Sequence, residues 1–356
     1  MRDKIRWRFL ILLMLIYMGG TVMADDKKIV IAHRGASGYL PEHSLEAKAM
    51  AYAMGADYLE QDVVMTKDNR LVVLHDHYLD RVTNVAQVFP KRKRKDGRYY
   101  VIDFTLKEIK SLKMTEGFKE KNGKEVQNFP QRFPIWKSVF RVSTLEEELE
   151  LIQGLNKSTG NNVGIYPEIK SPAFHRSEGK DISRATLTVL KKYGYSSKND
   201  KVYLQCFNPV ELRRIHDELF PEFDMEVKLI QLLPKSEYNK KTDYSEYSAT
   251  SLSKTLRGIA EYADGIGPSK SMIVLKGSTR DSMRISDLVK EAHKVGLAVH
   301  PYTFRLDHGE IPPYALSFED MLDLFYYKIG IDGVFTDFTD RAVKFLRRAE
   351  YQREGL

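Results

Sequence analysis

The sequence predicts an α/β fold, a TIM (β/α)8 barrel with a long insertion after the second strand and its hairpin. Eight short runs rich in apolar and β-branched residues recur along the chain, and helix signals separate them. Such runs suit strands that are buried on both faces, and their alternation with helices indicates parallel crossovers. A doubly wound open sheet is the alternative, which the lack of a glycine-rich loop after the first run weakens.

The first 24 residues are typical of a secretory signal peptide. A basic start precedes an apolar run, Phe9–Met18, that is too short for a spanning helix, and small residues lead to Ala24. We expect cleavage after Ala24, which leaves residues 25–356 as one exported, periplasmic domain. An uncleaved membrane anchor is the alternative.

The predicted barrel strands follow directly from the apolar runs. They are Lys28–Ala32, Tyr58–Met65, Val163–Ile169, Lys201–Cys206, Glu226–Gln231, Asp264–Gly267, Leu297–Tyr302 and Gly333–Thr336. Helix starts lie between them, as in Asn208-Pro209-Val-Glu211 and the capping-box pattern Ser143-Thr-Leu-Glu146. Each strand is therefore followed by a helix, as the barrel requires.

A ninth apolar run, Leu71–His75, interrupts this alternation. The connection from the second strand is short and rich in turn residues, so it predicts a hairpin. From there the chain is irregular, charged and aromatic over about residues 78–142, with one helix signal at Thr105-Leu-Lys-Glu108. We expect this segment to be an insertion on the active-site face, because long irregular stretches are usually functional or mobile.

Charge and cysteine content argue against a nucleic-acid-binding surface and a disulfide framework. The formal net charge is +7 at pH 7, and the dense basic run Lys91–Lys95 has no interleaved aromatic residues, as a strand-binding surface would require. We predict a solvated loop there and no nucleic-acid partner, with an anion or nucleic-acid patch as the alternative. Cys206 is the single cysteine, so an intramolecular disulfide is impossible and a core position is expected.

Three carboxylates converge in the predicted barrel. Glu60 and Asp62 alternate on one face of the second strand, and Glu168 shares a face with Lys170 on the next barrel strand. Buried carboxylates cannot all stay ionised without a compensating cation. Oxygen ligands favour Ca²⁺ or Mg²⁺ over zinc, so we predict one divalent cation of this kind. Structural salt bridges are the alternative.

Two strand-end histidines accompany these carboxylates. His33 follows the first strand and His75 ends the hairpin strand. Imidazoles can remove and donate protons near neutral pH, and the Arg34 guanidinium can bind phosphate oxygens. Alone, either histidine could be a core residue and Arg34 a carboxylate clamp. Together with the metal ligands, they indicate hydrolysis of a phosphate ester.

Four ordered blocks resemble the glycerophosphodiester phosphodiesterase family, and most of all its periplasmic bacterial branch. They are His33-Arg-Gly-Ala-Ser-Gly-Tyr-Leu-Pro-Glu42, Glu60-Gln-Asp-Val63, Val72-Val-Leu-His-Asp76 and Pro167-Glu-Ile-Lys170. The resemblance implies a metal-dependent hydrolase that converts deacylated phospholipids to sn-glycerol 3-phosphate and an alcohol. The partners would be small glycerophosphodiesters, with no stable membrane anchor, and the protein would be a monomer or a homodimer.

The resemblance also implies a role for each residue of the site. Glu60, Asp62 and Glu168 would bind one Ca²⁺, with Mg²⁺ as the alternative. His33 and His75 would act as general base and acid, and Arg34 and Lys170 would hold phosphate. The pocket wall would include Gln205, Phe207, Tyr302 and Phe335, for which ordinary packing at the barrel mouth is the alternative. The nucleophile stays open between the glycerol 2-hydroxyl, which would give a cyclic phosphate, and water. Cleavage of intact lipids, or a surface binding protein that retains the fold, are the alternative functions.

Overall fold

A computed structural model of the chain describes residues 27–234 and 249–353. The predicted signal peptide, residues 1–24, lies outside the described residues. Within those two ranges, none of the helices combines the length and the apolar character needed to cross a membrane.

Eleven strands make up the two sheets of the structure. They are β1 (Ile29–Ala32), β2 (Tyr58–Met65), β3 (Leu71–Val73), β4 (Phe118–Lys121), β5 (Lys124–Gln127), β6 (Gly164–Ile169), β7 (Tyr203–Cys206), β8 (Lys228–Leu233), β9 (Gly265–Pro268), β10 (Ala298–Val299) and β11 (Gly333–Thr336). Eight of them pair in parallel in the order β10-β9-β8-β7-β6-β2-β1-β11.

The eight parallel strands close on themselves. Asp332 N–H donates to the Val299 carbonyl at 3.1 Å, and Phe335 N–H donates to the Pro301 carbonyl at 3.1 Å. These bonds join β11 to the chain of β10, so both edges of the sheet are paired. The predicted (β/α)8 barrel is therefore confirmed, and the open doubly wound sheet is excluded.

Helices connect the strands and surround the barrel. They are α1 (Leu45–Ala53), α2 (Val85–Val88), α3 (Leu106–Ser111), α4 (Leu145–Thr159), α5 (Pro172–Ser177), α6 (Ile182–Lys192), α7 (Pro209–Arg214), α8 (Phe220–Phe223), α9 (Ala249–Ala260), α10 (Lys270–Ile273), α11 (Leu288–Lys294), α12 (Phe318–Asp323) and α13 (Thr339–Arg353). The helices α7 and α12 continue as π-helical turns.

The capping box of α4 lies one residue later than predicted. Thr144 is the N-cap, and its hydroxyl accepts the N–H of Glu147. The Ser143 hydroxyl instead donates to Glu148 at 2.8 Å in the interior. The sequence fits the Ser/Thr-x-x-Glu pattern twice, at Ser143 and Glu146 and at Thr144 and Glu147. Because the Ser143 hydroxyl is engaged with Glu148, the second pair forms the capping box.

Aromatic and apolar side chains fill the barrel beneath its C-terminal end. Tyr58 precedes Glu60 by two residues on β2, and Tyr166 precedes Glu168 by two on β6. Both tyrosines pack with Ile31, Ile230 and Phe335 in one buried cluster. Because strand residues two apart share a face, each strand presents an aromatic ring below and a carboxylate above.

The segment from 78 to 142 lies between β3 and α4. It contains α2, α3, one 3-10 turn and the antiparallel hairpin β4–β5. Its apolar side chains join β2 and β3 in a second buried cluster, which includes Leu79, Val101, Phe104 and Ile109. The segment therefore has a core of its own that continues from the β2–β3 hairpin.

Candidate active site

One cavity of about 240 Å³ opens at the C-terminal end of the barrel. All eleven residues predicted for the site line it. They are His33, Arg34, Glu60, Asp62, His75, Glu168, Lys170, Gln205, Phe207, Tyr302 and Phe335. Residues from the ends of six strands and the β2–β3 hairpin thus meet at the position where barrel enzymes carry their sites.

The three carboxylates face one another across two paired strands. Asp62 of β2 lies directly opposite Glu168 of β6 in the parallel register. One oxygen from each of Glu60, Asp62 and Glu168 can be chosen so that all three lie within 4.8 Å of one another. All three side chains are buried, so no bulk water screens their mutual repulsion.

The electrostatics of the cluster fit a bound divalent cation. Burial, with repulsion from neighbouring carboxylates, raises the pKa of Glu60 well above its usual range and that of Glu168 to about 8. Burial acts the same way on Asp62, but the charges of Lys170 and His43 hold its pKa well below the usual value. Asp62 Oδ1 accepts no hydrogen bond from the described residues. Three buried carboxylates, one of which has an oxygen without a hydrogen bond, form an appropriate ligand set for Ca²⁺ or Mg²⁺.

Asp337 fixes the orientation of His33. The N–H at Nδ1 of the imidazole donates to Asp337 Oδ1 at 2.5 Å, and both side chains are buried. The other ring nitrogen, Nε2, lies 3.9 Å from Glu60 Oε2. Since Nδ1 carries the proton, the lone pair of Nε2 faces the carboxylate cluster.

A chain of alternating charges supports His75. Its Nδ1–H donates to Asp76 Oδ1 at 2.7 Å, and Asp76 Oδ2 accepts from Arg81 Nε at 3.0 Å. Arg81 and Arg34 both bind Glu42, the latter through Nη1 at 2.7 Å. The second histidine is thus linked through three side chains, Asp76, Arg81 and Glu42, to Arg34.

Both imidazoles are neutral in the free site near pH 7. Burial and the charge of Arg34 lower the pKa of His33 to about 4, although Asp337 opposes this shift. The pKa of His75 falls to about 4 because of burial, Arg34 and Lys170. An anion bound between those two cations would offset their charge, so His75 would accept a proton more readily when a phosphodiester is present.

The turn after β1 is held in an uncommon backbone conformation. Arg34 has φ of +60°, and its N–H donates to Glu60 Oε2 at 2.8 Å. Gly35 follows with φ of +83°, where a Cβ would lie 2.8 Å from the Ala47 carbonyl carbon. A non-glycine residue in this region costs on the order of 1–3 kcal/mol, so the strain at Arg34 marks a functional turn.

An apolar wall completes the cavity. Phe207 meets Tyr302 edge to face, with ring centroids 5.9 Å apart. The Tyr302 hydroxyl donates to the Leu233 carbonyl at 2.8 Å, and Gln205 donates to Glu60 Oε1 at 3.0 Å. Gln205 therefore holds a carboxylate, while the two rings offer a surface for the carbon skeleton of a ligand.

The glycerophosphoryl diester phosphodiesterase family matches residues 33–341 of the sequence. The chain belongs to this family. A glycerophosphodiester phosphodiesterase of Haemophilus influenzae is 52% identical, over 93% of this chain and 92% of that protein. One of Treponema pallidum is 42% identical, over 90% of this chain and 92% of that protein.

Solved structures agree with the barrel fold. A protein of Silicibacter pomeroyi, 24% identical, superimposes with a TM-score of 0.65 over 92% of this chain and 95% of its own. A phosphodiesterase of Oleispira antarctica, in complex with the product sn-glycerol-3-phosphate, gives 0.56 at 22% identity over 90% and 96%. At these identities the likeness extends to the fold alone.

Three buried residues beside the site were not predicted from the sequence. His43 donates from Nε2 to Asp62 Oδ2 at 2.7 Å, and Lys48 Nζ lies 3.2 Å from His43 Nδ1. Asp337, the partner of His33, is the third. His43 directly follows the first motif. Asp337 follows Phe335 by two residues, so alternation along the last strand could have identified Asp337.

Proposed function

We propose that this chain hydrolyses glycerophosphodiesters, the deacylated forms of phospholipids, to sn-glycerol 3-phosphate and an alcohol. Membership of the family and 52% identity to a named glycerophosphodiester phosphodiesterase support this activity. The observation that carries the proposal is that three buried carboxylates and two histidines line one cavity within the matched residues.

Glu60, Asp62 and Glu168 are the proposed ligands of one divalent cation. Their oxygen donors favour Ca²⁺, with Mg²⁺ as the second choice. A bound divalent ion supplies positive charge that stabilises the negative charge developing on the phosphate oxygens. Arg34 and Lys170 are the proposed phosphate ligands, and Lys170 Nζ already lies 2.8 Å from Glu168 Oε1.

The two histidines are the proposed proton carriers. His33 Nε2 would take the proton of the attacking hydroxyl while the hydroxyl oxygen forms the new bond to phosphorus. His75 would give a proton to the departing alkoxide as the old phosphorus–oxygen bond breaks. The attacking hydroxyl belongs either to the glycerol 2-position or to a water molecule, and a trapped cyclic glycerol phosphate would select the first.

The assay uses purified residues 25–356 with glycerophosphocholine as substrate and choline release as readout. We expect EDTA to abolish activity, Ca²⁺ or Mg²⁺ to restore it, and His33→Ala to remove it. His216→Ala is the matched control, because this histidine is 40% exposed and pairs with Asp217. Activity that survives both EDTA and His33→Ala would contradict the proposed roles.

We also propose export to the periplasm through the predicted signal peptide, and membership of the periplasmic branch. The support is the basic, apolar and small-residue order of residues 1–24. Mass spectrometry of the protein from a periplasmic extract should give a first residue of Asp25. A chain that starts at Met1 and stays with the membrane would favour the uncleaved anchor instead.

A further inference from the structure

Arg132 is a buried arginine of the 78–142 segment, and it reaches the base of the barrel mouth. Its Nε and Nη2 donate to the two oxygens of Asp307 at 2.9 and 2.6 Å. Nη2 also donates to Asp337 Oδ2 at 2.6 Å, and Nη1 donates to the Ser37 carbonyl at 3.0 Å. Its side chain is 6% exposed and those of Asp307 and Asp337 are 2% exposed, so water contributes little to this cluster.

The contacts of Arg132 lead to His33 by two routes. Asp337 accepts His33 Nδ1–H on Oδ1 and Arg132 on Oδ2, so its carboxylate lies between the two side chains. The Ser37 hydroxyl donates to the His33 carbonyl at 2.7 Å, so the second route reaches the His33 backbone. The imidazole and its main chain are thus both held by a residue from outside the barrel repeats.

We propose that Arg132 is a positioning residue for His33, and that the 78–142 segment thereby completes the proton-accepting group of the barrel. This inference rests on the proposed role of His33 as general base. Arg132 acts through Asp337: it fixes the carboxylate that fixes the imidazole. It lines no part of the 240 Å³ cavity itself.

Arg132 and Arg305 share Asp337 Oδ2. Without Arg132, Arg305 would be the one described side chain left on that oxygen, with its Nε 2.8 Å away and its side chain 25% exposed. Asp307 would lose both hydrogen bonds from the guanidinium. A buried carboxylate that loses one of its two guanidinium partners would shift toward the other, and the imidazole would follow Asp337.

The expected signature is a loss in kcat at constant KM. Arg34 and Lys170 line the cavity and Arg132 does not, so substrate binding should change less than about twofold. A displacement of a reacting group by about 1 Å can cost roughly 100-fold, so we expect Arg132→Ala to lower kcat by about 10- to 100-fold. Arg132→Lys keeps the charge without the planar fork and should lose about tenfold.

Arg94→Ala is the matched control. Arg94 belongs to the same segment and also binds two carboxylates, Asp103 at 2.7 and 2.8 Å and Glu178 at 2.7 and 3.0 Å. Arg94 thus connects the segment to Glu178 at the end of α5. Its side-chain hydrogen bonds go to Asp103 and Glu178 rather than to His33 or Asp337. The control should lose thermal stability and keep kcat within about twofold.

Guanidinium rescue separates positioning from general loosening. A second cavity of about 100 Å³ adjoins Arg132 and is bounded by His33, Arg34, Arg305 and Asp337. Truncation to alanine enlarges it, so millimolar guanidinium chloride should restore part of kcat in Arg132→Ala. The same concentration of sodium chloride should not.

The outcomes distinguish the inference from the function on which it rests. If His33→Ala keeps full activity, the general base is assigned wrongly, whatever Arg132 does. If His33→Ala is inactive but folded Arg132→Ala keeps kcat within twofold, the positioning role is overturned. Equal losses in Arg94→Ala and Arg132→Ala, or no rescue by guanidinium, would also overturn it. Should Arg132→Ala not fold, Arg132→Lys decides by the same kcat criterion.

Discussion

Cation binding at the three carboxylates should release protons, because the metal-free site holds at least one of them protonated. Burial and the charge of Asp62 raise the pKa of Glu168 to about 8, while Lys170 opposes the shift. Burial raises the pKa of Glu60 as well. A carboxylate must be ionised to ligate Ca²⁺, so each ion bound near neutral pH displaces a proton from Glu168.

The magnitude follows from the pKa of Glu168. Below about pH 8, release of one proton raises the apparent Ca²⁺ affinity about tenfold per pH unit, or roughly 100-fold between pH 6 and pH 8. Above pH 8 this dependence should flatten. Burial also raises the pKa of Glu60, so its protonation acts in the same direction.

The same carboxyls make the stability of the metal-free protein fall as pH rises. Between the unfolded pKa, about 4.5, and the folded value, about 8, the folded chain binds more protons than the unfolded chain. The free energy of unfolding therefore decreases across this window, by up to about 5 kcal/mol for Glu168. Saturating Ca²⁺ should remove this decrease, because the bound carboxylates stay ionised.

Calorimetric titration with Ca²⁺ in two buffers of different ionisation enthalpy counts the released protons at pH 6, 7, 8 and 9. Glu168→Gln should release about one proton fewer and bind Ca²⁺ more weakly, since an amide is a neutral ligand. Glu226→Gln is the control, a carboxylate that is 67% exposed. An affinity independent of pH, or proton release unchanged in Glu168→Gln, would refute the linkage.

Two further predictions concern single side chains. In His75→Ala, kcat should fall by about 10² to 10⁴ for glycerophosphocholine but far less for a nitrophenyl ester, whose leaving group needs no proton. In His33→Ala, kcat should fall equally for both substrates. Equal losses of kcat on the two substrates in His75→Ala would exclude His75 as the acid. Burial and Glu42 raise the pKa of Glu116 to about 8 against the pull of Arg132, and one of its oxygens has no hydrogen-bond partner among the described residues. Glu116→Gln should therefore raise the free energy of unfolding by a few kcal/mol at pH 9 and by almost nothing at pH 4.5, as urea titrations at the two pH values would show; the same gain at both would contradict an ionisation effect.

The barrel could be predicted because its signal repeats. Seven of the eight predicted barrel strands overlap the observed ones by at least three residues. These strands could be predicted because each is a short apolar run bounded by turn residues. The exception is Leu297–Tyr302, which is a regular strand only at Ala298–Val299. Pro301 has no N–H for a ladder bond, although its carbonyl still accepts Phe335 N–H.

The basic run shows where composition alone fails. The lysines of Lys91–Lys95 are exposed, as a solvated loop predicts. The two arginines turn inward, where Arg92 binds Glu108 at 2.8 Å and Arg94 binds Asp103 and Glu178. A guanidinium can bind two carboxylates at once. The alternation of lysine and arginine therefore separates exposed residues from paired ones, which the net charge of the run does not.

Distance along the chain does not decide which contacts of the site can be predicted. His33 and Asp337 are 304 residues apart, yet closure of a barrel places the ends of the first and last strands side by side. That contact therefore follows once the fold is accepted. Arg132 lies nearer to Asp337, 205 residues away, but no repeat or strand register fixes its position. In the proposed mechanism, the barrel strands supply the reacting groups, while Arg132 of the irregular segment determines how firmly His33 is held.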